Sequence, residues 1–135
     1  MPKPKNPTRR DSKPQIARKR ARRKGQRAEF IAACYLRFKG YRIVARNLRM
    51  AGGEIDLVAR RGRLLVFVEV KFRPHMKQAE AAIMPRQWRR IEQAAGQFVG
   101  THPKLQNCQW RFDLLALAQW RWPRHKPGSW RANTP

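Results

Sequence analysis

Between Glu54 and Phe72 the chain carries two apolar runs, Ile55 to Ala59 and Leu64 to Val70, separated by a short charged stretch containing Gly62. Segments this rich in Val, Ile and Leu, bounded by Gly and charged residues, read as strands. The expected strands run from Glu54 to Arg60 and from Arg63 to Phe72, with Arg61-Gly62 as a tight hairpin turn. That turn pairs Arg60 with Arg63; counting outward, Asp56 faces Phe67 and Glu54 faces Glu69. Side chains alternate along a strand, so Glu54, Asp56, Glu69 and Lys71 project from one face. A slip of one residue would turn Asp56 to the other side.

The flanking segments supply layers for this hairpin. From Gly25 to Lys39, the residues Ala28, Ile31, Ala32, Tyr35 and Leu36 recur on one helical face, and Gly40 marks a C-terminal stop. Tyr41 to Arg49 is expected to be a first strand. A second helix starts near Pro85 and ends near Val99, with Trp88, Ile91, Ala95, Phe98 and Val99 as its apolar stripe. Cys108 to Ala118 is a last strand. Helix, three strands, helix, strand is the order of one α/β domain with helices against a mixed sheet. It is expected over residues 25–118, between a disordered basic arm (1–24) and an irregular Trp-, Arg- and Pro-rich tail (119–135).

Charge sets the class of partner. The 135 residues contain 32 Lys and Arg against 8 Asp and Glu, a net charge of +24. Self-repulsion on that scale favours binding to a polyanion, and nucleic acid gains affinity from each phosphate contact through counterion release. An anionic membrane surface and ribosomal RNA are alternatives that charge by itself does not rank. Phosphate contacts are assigned to Arg18, Lys19, Arg20, Arg22, Arg23 and Lys24 in the arm, and to Arg73 and Lys77 after the hairpin. Trp110, Trp120, Trp122 and Trp130 alternate with arginines, a pattern that stacks on unpaired bases; core packing of Trp110 and a floppy tail are the plainer account. Cys34 and Cys108 are far apart and read as reduced, partly buried residues, and His75, His102 and His125 read as loop residues without metal-ligand spacing. No apolar run is long enough to cross a membrane and no signal peptide is evident, so a cytoplasmic location is expected.

Acids are scarce, which makes their placement informative. Like charges opposed across a strand pair destabilise it, so Glu54, Asp56 and Glu69 call for a cation. Mg²⁺ or Mn²⁺ takes oxygen ligands from a few carboxylates and keeps room for water and phosphate. Lys71 beside such a group can stabilise charge developing on a phosphate. A solvated Glu69–Lys71 ion pair on a strand surface accounts for the same residues equally well.

The strings Gly52-Gly53-Glu54-Ile55-Asp56-Leu57-Val58 and Val66 to Arg73 resemble the YraN family of small bacterial proteins. So do Gly25 to Glu29, Gly40 to Asn47, Pro85-Arg86-Gln87 and Arg111-Phe112-Asp113. That family is similar to Holliday junction resolvases and implies the restriction-endonuclease-like fold with its PD-(D/E)xK signature. The resemblance covers about residues 25 to 118; Ile55 stands where the signature has proline. It implies Asp56 and Glu69 as metal ligands, Lys71 as catalytic lysine, Glu29 completing the site from the first helix, Glu54 in a less defined role, and Gln87 beside the metal. The activity it implies is Mg²⁺- or Mn²⁺-dependent DNA endonuclease, on branched or flapped DNA in preference to RNA. A homodimer follows by analogy, since resolvases make paired cuts. The alternative is a non-catalytic nucleic-acid-binding protein that retains the fold.

Overall fold

The computed structural model describes residues 13–131. Its elements are α1 (Lys13–Phe38), β1 (Arg42–Met50), β2 (Gly53–Arg61), β3 (Leu64–Arg73), α2 (Met76–Glu80), α3 (Pro85–Gly100), a single 3₁₀ turn (Pro103–Leu105), β4 (Gln109–Ala118) and β5 (Arg124–Trp130). The sheet has five strands in chain order. β3 and β4 are parallel and all other neighbours antiparallel. A parallel pair needs a long crossover, and the segment carrying α2 and α3 provides it.

Each face of the sheet has its own core. On one, Ile55, Val58, Leu65, Phe67 and Phe112 pack against Trp88, Ile91, Ala94, Ala95, Phe98 and Val99 of α3. On the other, Leu57, Ala59, Val66, Val68 and Leu115 pack against Ala28, Ala32, Ala33 and Leu36 of α1. β3 is buried over Leu65–Val70 because helices cover both of its faces. The α3 stripe expected from periodicity is buried at all five positions.

Three expectations are corrected. The first helix begins at Lys13 rather than Gly25, so the second half of the expected arm is helical; Ala, Arg, Lys and Gln there are good helix formers. The tail is not irregular throughout, since β5 lies within it. Cys34 is exposed on α1 rather than partly buried. Residues 1–12 of the arm and 132–135 of the tail lie outside the described residues.

The hairpin itself turns one residue later than expected. Arg61 pairs with Leu64, leaving Gly62 and Arg63 in the turn, and Gly62 has φ +60°. Glycine at positive φ in the first central position is the type II′ arrangement, whose twist matches that of the strands. An Arg61-Gly62 turn would have placed an arginine there. The change moves each strand partner by two residues, so Asp56 comes level with Glu69 instead of Phe67. The ladder stops at Leu57↔Val68.

Alternation also breaks at this level. Ile55 packs in the α3-side core and Leu57 in the α1-side core, although residues two apart on a regular strand share a face. On β1, Asn47, level with Asp56 in the register, has φ +47°. The four side chains therefore do not form one row. β2 and β3 separate beyond Leu57 and Val68, and a cleft opens there.

Candidate active site

Asp56 and Glu69 meet in this opening and share a hydrogen bond. Asp56 is fixed by the backbone N–H of Val70, which donates to its Oδ2 at 2.8 Å. A side-chain oxygen thus accepts from an amide just beyond the last ladder pair. Glu69 is 5% exposed. Its Oε1 accepts from Gln87 Nε2 on α3 at 2.9 Å and faces Lys71 Nζ at 3.2 Å. Gln87 locks the glutamate rotamer from one side while Lys71 approaches from the other.

Burial, then the neighbouring Asp56 carboxylate, pushes the Glu69 carboxyl up to about 8, against the opposing pull of Lys71. Asp56 is also raised, chiefly by burial, while Val70 N–H and Lys71 pull it down. Two carboxylates in contact cannot both ionise without help. The contact therefore favours the protonated form of the pair.

Glu29 on α1 stands half-buried beside the pair. Its carboxyl is raised by burial and by Asp56, and hydrogen bonding to Asn47 opposes this. Glu54 sits at the rim, exposed and ion-paired with Arg49 at 3.4 Å. Lys71, Glu69, Asp56, Glu29 and Glu54 all line one open cleft of about 730 Å³, with Arg73, Gln87 and Arg90. Among the described residues, no three His, Cys, Asp or Glu side chains form a group able by themselves to hold a metal ion.

Gly52 and Gly53 let the β1–β2 end of the site pack directly against α3. A Cβ on Gly52 would stand 2.8 Å from Cβ of Gln93, and one on Gly53 would stand 3.1 Å from the carbonyl oxygen of Arg90. Gly52 N–H also donates to Gln97 Oε1 at 2.9 Å. Close approach to α3, which only glycine allows, brings Arg90 to the cleft. Nothing local in the sequence singles out Arg90 or Asn47, because the contacts that place them are made across the fold.

The residues expected to bind phosphate are spread out. Arg73 is exposed at the cleft, and Lys77 is exposed on α2. Arg18 is exposed on α1. Lys19, Arg20, Arg22, Arg23 and Lys24 follow it on the same helix backbone, but their side chains lie outside the described residues.

A second buried carboxylate lies elsewhere. Asp113 on β4 is fully buried. It accepts from Arg111 Nε and Nη2 at 2.8 and 2.7 Å, from Gly128 N at 2.9 Å, and pairs with His125 Nε2 at 2.6 Å. His125 is thus a nearly buried strand residue and not the loop residue expected. This cluster fastens β5 to β4.

A five-stranded mixed sheet with helices on both faces, carrying an aspartate and a Glu-x-Lys on adjacent strands at one cleft, is a small α/β domain of restriction-endonuclease-like architecture. Residues 28–117 match the model of the uncharacterised protein family UPF0102, and the chain belongs to that family, the YraN family. A UPF0102 protein of Paramagnetospirillum magneticum is 48% identical over 122 residues, covering 87% of this chain and 95% of the relative. One of Parvibaculum lavamentivorans is 50% identical over 111 residues, covering 82% and 84%. One of Mesorhizobium japonicum is 47% identical over 113 residues, covering 84% and 90%. Among the described residues, no helix is long and apolar enough to cross a membrane.

Proposed function

We propose that this protein is a divalent-metal-dependent endonuclease acting on DNA. The observation that carries the reading is the hydrogen-bonded pair of buried Glu69 and half-buried Asp56, with Lys71 within 3.2 Å of Glu69, at an open cleft in a basic protein. Holding two carboxylates against each other, one of them buried, costs stability, and a site for a cation accounts for that cost.

The donor set fits Mg²⁺ or Mn²⁺. Mg²⁺ is usually held by one or two carboxylates, with waters and substrate phosphate filling the other positions, rather than by an all-protein cage. Asp56 and Glu69 would hold it, with Glu29 next in line; Glu54, paired with Arg49 in solvent, is the weakest of the expected ligands. When bound, the ion supplies a more acidic water and neutralises phosphate oxygens.

The chain's own groups do the rest. Val70 N–H and Gln87 hold the two carboxylates in place, so little reorganisation is needed at the moment of reaction. Lys71 supplies a fixed positive charge toward a phosphate entering the cleft. Arg73 and Arg90 grip neighbouring phosphates and set the strand's path.

The test is cleavage of branched and single-strand-containing DNA by the purified protein with Mn²⁺ or Mg²⁺. Cleavage should be lost in Glu69→Ala and Asp56→Asn while DNA binding remains. Binding without cleavage across metals and substrates would instead favour a non-catalytic nucleic-acid-binding protein on this fold.

A further inference from the structure

The β4–β5 connection, residues 119–123, carries two of the three most exposed large apolar side chains among the described residues, the third being Phe38 on α1. Trp120 is 94% exposed and Trp122 86%. Two bare indoles on either side of an exposed arginine, Arg121, need an explanation, because neither ring contributes to the core.

The parallel register locates this loop. Lys71 pairs with Ala116, and Arg73 with Ala118, the last residue of β4. Trp120 follows two residues later. The loop therefore leaves the sheet at the same end as Lys71 and Arg73, on the adjacent strand. At about 4.8 Å between strands and at most about 3.3 Å per residue, and with the chain turning back over Ala118–Arg121, Trp120 lies within roughly 15 Å of Lys71. At roughly 3.4 Å per stacked nucleotide, that is about four nucleotides along a strand.

The loop is also held firmly. Just after it, Arg124 and Lys126 both pair with Glu80 of α2, and His125 and Gly128 N–H bind the buried Asp113. Trp120 itself sits at φ +61°, a conformation costly for a bulky side chain and maintained only where the surroundings impose it. An exposed pair of aromatic rings on an anchored loop, beside arginine, is what unpaired bases stack on. Stacking accepts any base, and arginine takes the phosphate between.

We infer that Trp120 and Trp122 form a stacking platform for unpaired nucleotides next to the cleft, selecting DNA in which duplex gives way to single strand. The inference deepens the nuclease reading by naming the substrate feature. It is tested without metal, so the two fail separately.

The experiment measures binding of forked DNA, and of blunt duplex of the same length, to the full chain in EDTA. Trp120→Ala/Trp122→Ala should bind the fork about ten- to a hundredfold more weakly, with duplex affinity within about twofold. Trp120→Phe/Trp122→Phe should retain most of the fork affinity, because a ring remains. Thermal melting should be unchanged for both, since the side chains are exposed. Equal loss on fork and duplex, or no loss on either, overturns the inference. So does a DNA-free dimer of the wild type that the alanine variant abolishes, which would make the indoles a contact between copies.

Discussion

Replacing Glu69 by glutamine should stabilise the metal-free protein, and by an amount that grows with pH. Glutamine has the shape of the protonated glutamate. Its carbonyl can still accept from Gln87 and Lys71, and its amide can donate to Asp56 as a protonated glutamate does. What disappears is the titration. The unfolded chain releases the Glu69 proton near the ordinary 4.5, whereas the folded chain keeps it to about 8. Below the lower value both states hold the proton and nothing is lost. Between the two, wild-type stability falls by about 1.4 kcal/mol per pH unit. Above the upper value the loss is complete. At pH 7 it is roughly 3 kcal/mol, and Glu69→Gln escapes it; with relaxation around the pair, a gain of about 2 kcal/mol is expected. At about 4 °C or more per kcal/mol for a domain of this size, that is roughly 8 °C in Tm. The assay is thermal unfolding by circular dichroism in EDTA at pH 5, 7 and 8.5. The curves of the two proteins should nearly coincide at pH 5 and separate steadily above it. Adding Mg²⁺ should raise the wild type at pH 8.5 and leave the variant almost unmoved, because the ion binds the ionised pair. A variant less stable than wild type at pH 8.5, or a difference independent of pH, would refute the reasoning.

Asp113→Ala should lower stability by about 3–5 kcal/mol, since Arg111 and His125 lose a buried partner; chemical denaturation measures it. Although burial opposes it, hydrogen bonding from Arg111, His125 and Gly128 holds the Asp113 carboxyl below its usual range. Its contribution is therefore complete above about pH 4 and lost as pH falls through the lower folded value, so the wild type should show an acid-unfolding limb that the variant lacks. Gly52→Ala should cost about 1–3 kcal/mol by overpacking against Gln93, read from the denaturation midpoint. DNA binding should weaken steeply with salt, and deletion of residues 1–24 should make the log–log slope shallower. An unchanged slope would show that the arm makes no phosphate contacts.

The elements around the site are readable from sequence because their signals are local. The α3 stripe, the apolar β2 and β3 runs and Pro85 at a helix start each declare themselves within a few residues. The hairpin turns one position beyond the expected one because Arg61-Gly62 and Gly62-Arg63 look alike until strand twist selects glycine first. Parity survived that change, so Asp56 and Glu69 still meet. The break in alternation at Asp56 and Asn47 has no local signature. Nor do α1's early start or β5. Dense positive charge masks the helical start at Lys13, although its residues are good helix formers, whereas a short strand containing Pro127 and Gly128 contradicts the composition rules for a strand; β5 is held by the distant contacts of Asp113 and Glu80. Trp110 also shows how periodicity misleads at a strand end: it lies edge-on to Phe67 at 5.6 Å yet remains 39% exposed.

The most direct check is where a divalent ion sits. Crystals grown above pH 8 with Mn²⁺ should show a single anomalous peak within about 2.0–2.3 Å of carboxylate oxygens from both Asp56 and Glu69. A peak bound by neither carboxylate, or none in the cleft at saturating Mn²⁺, would contradict the assignment.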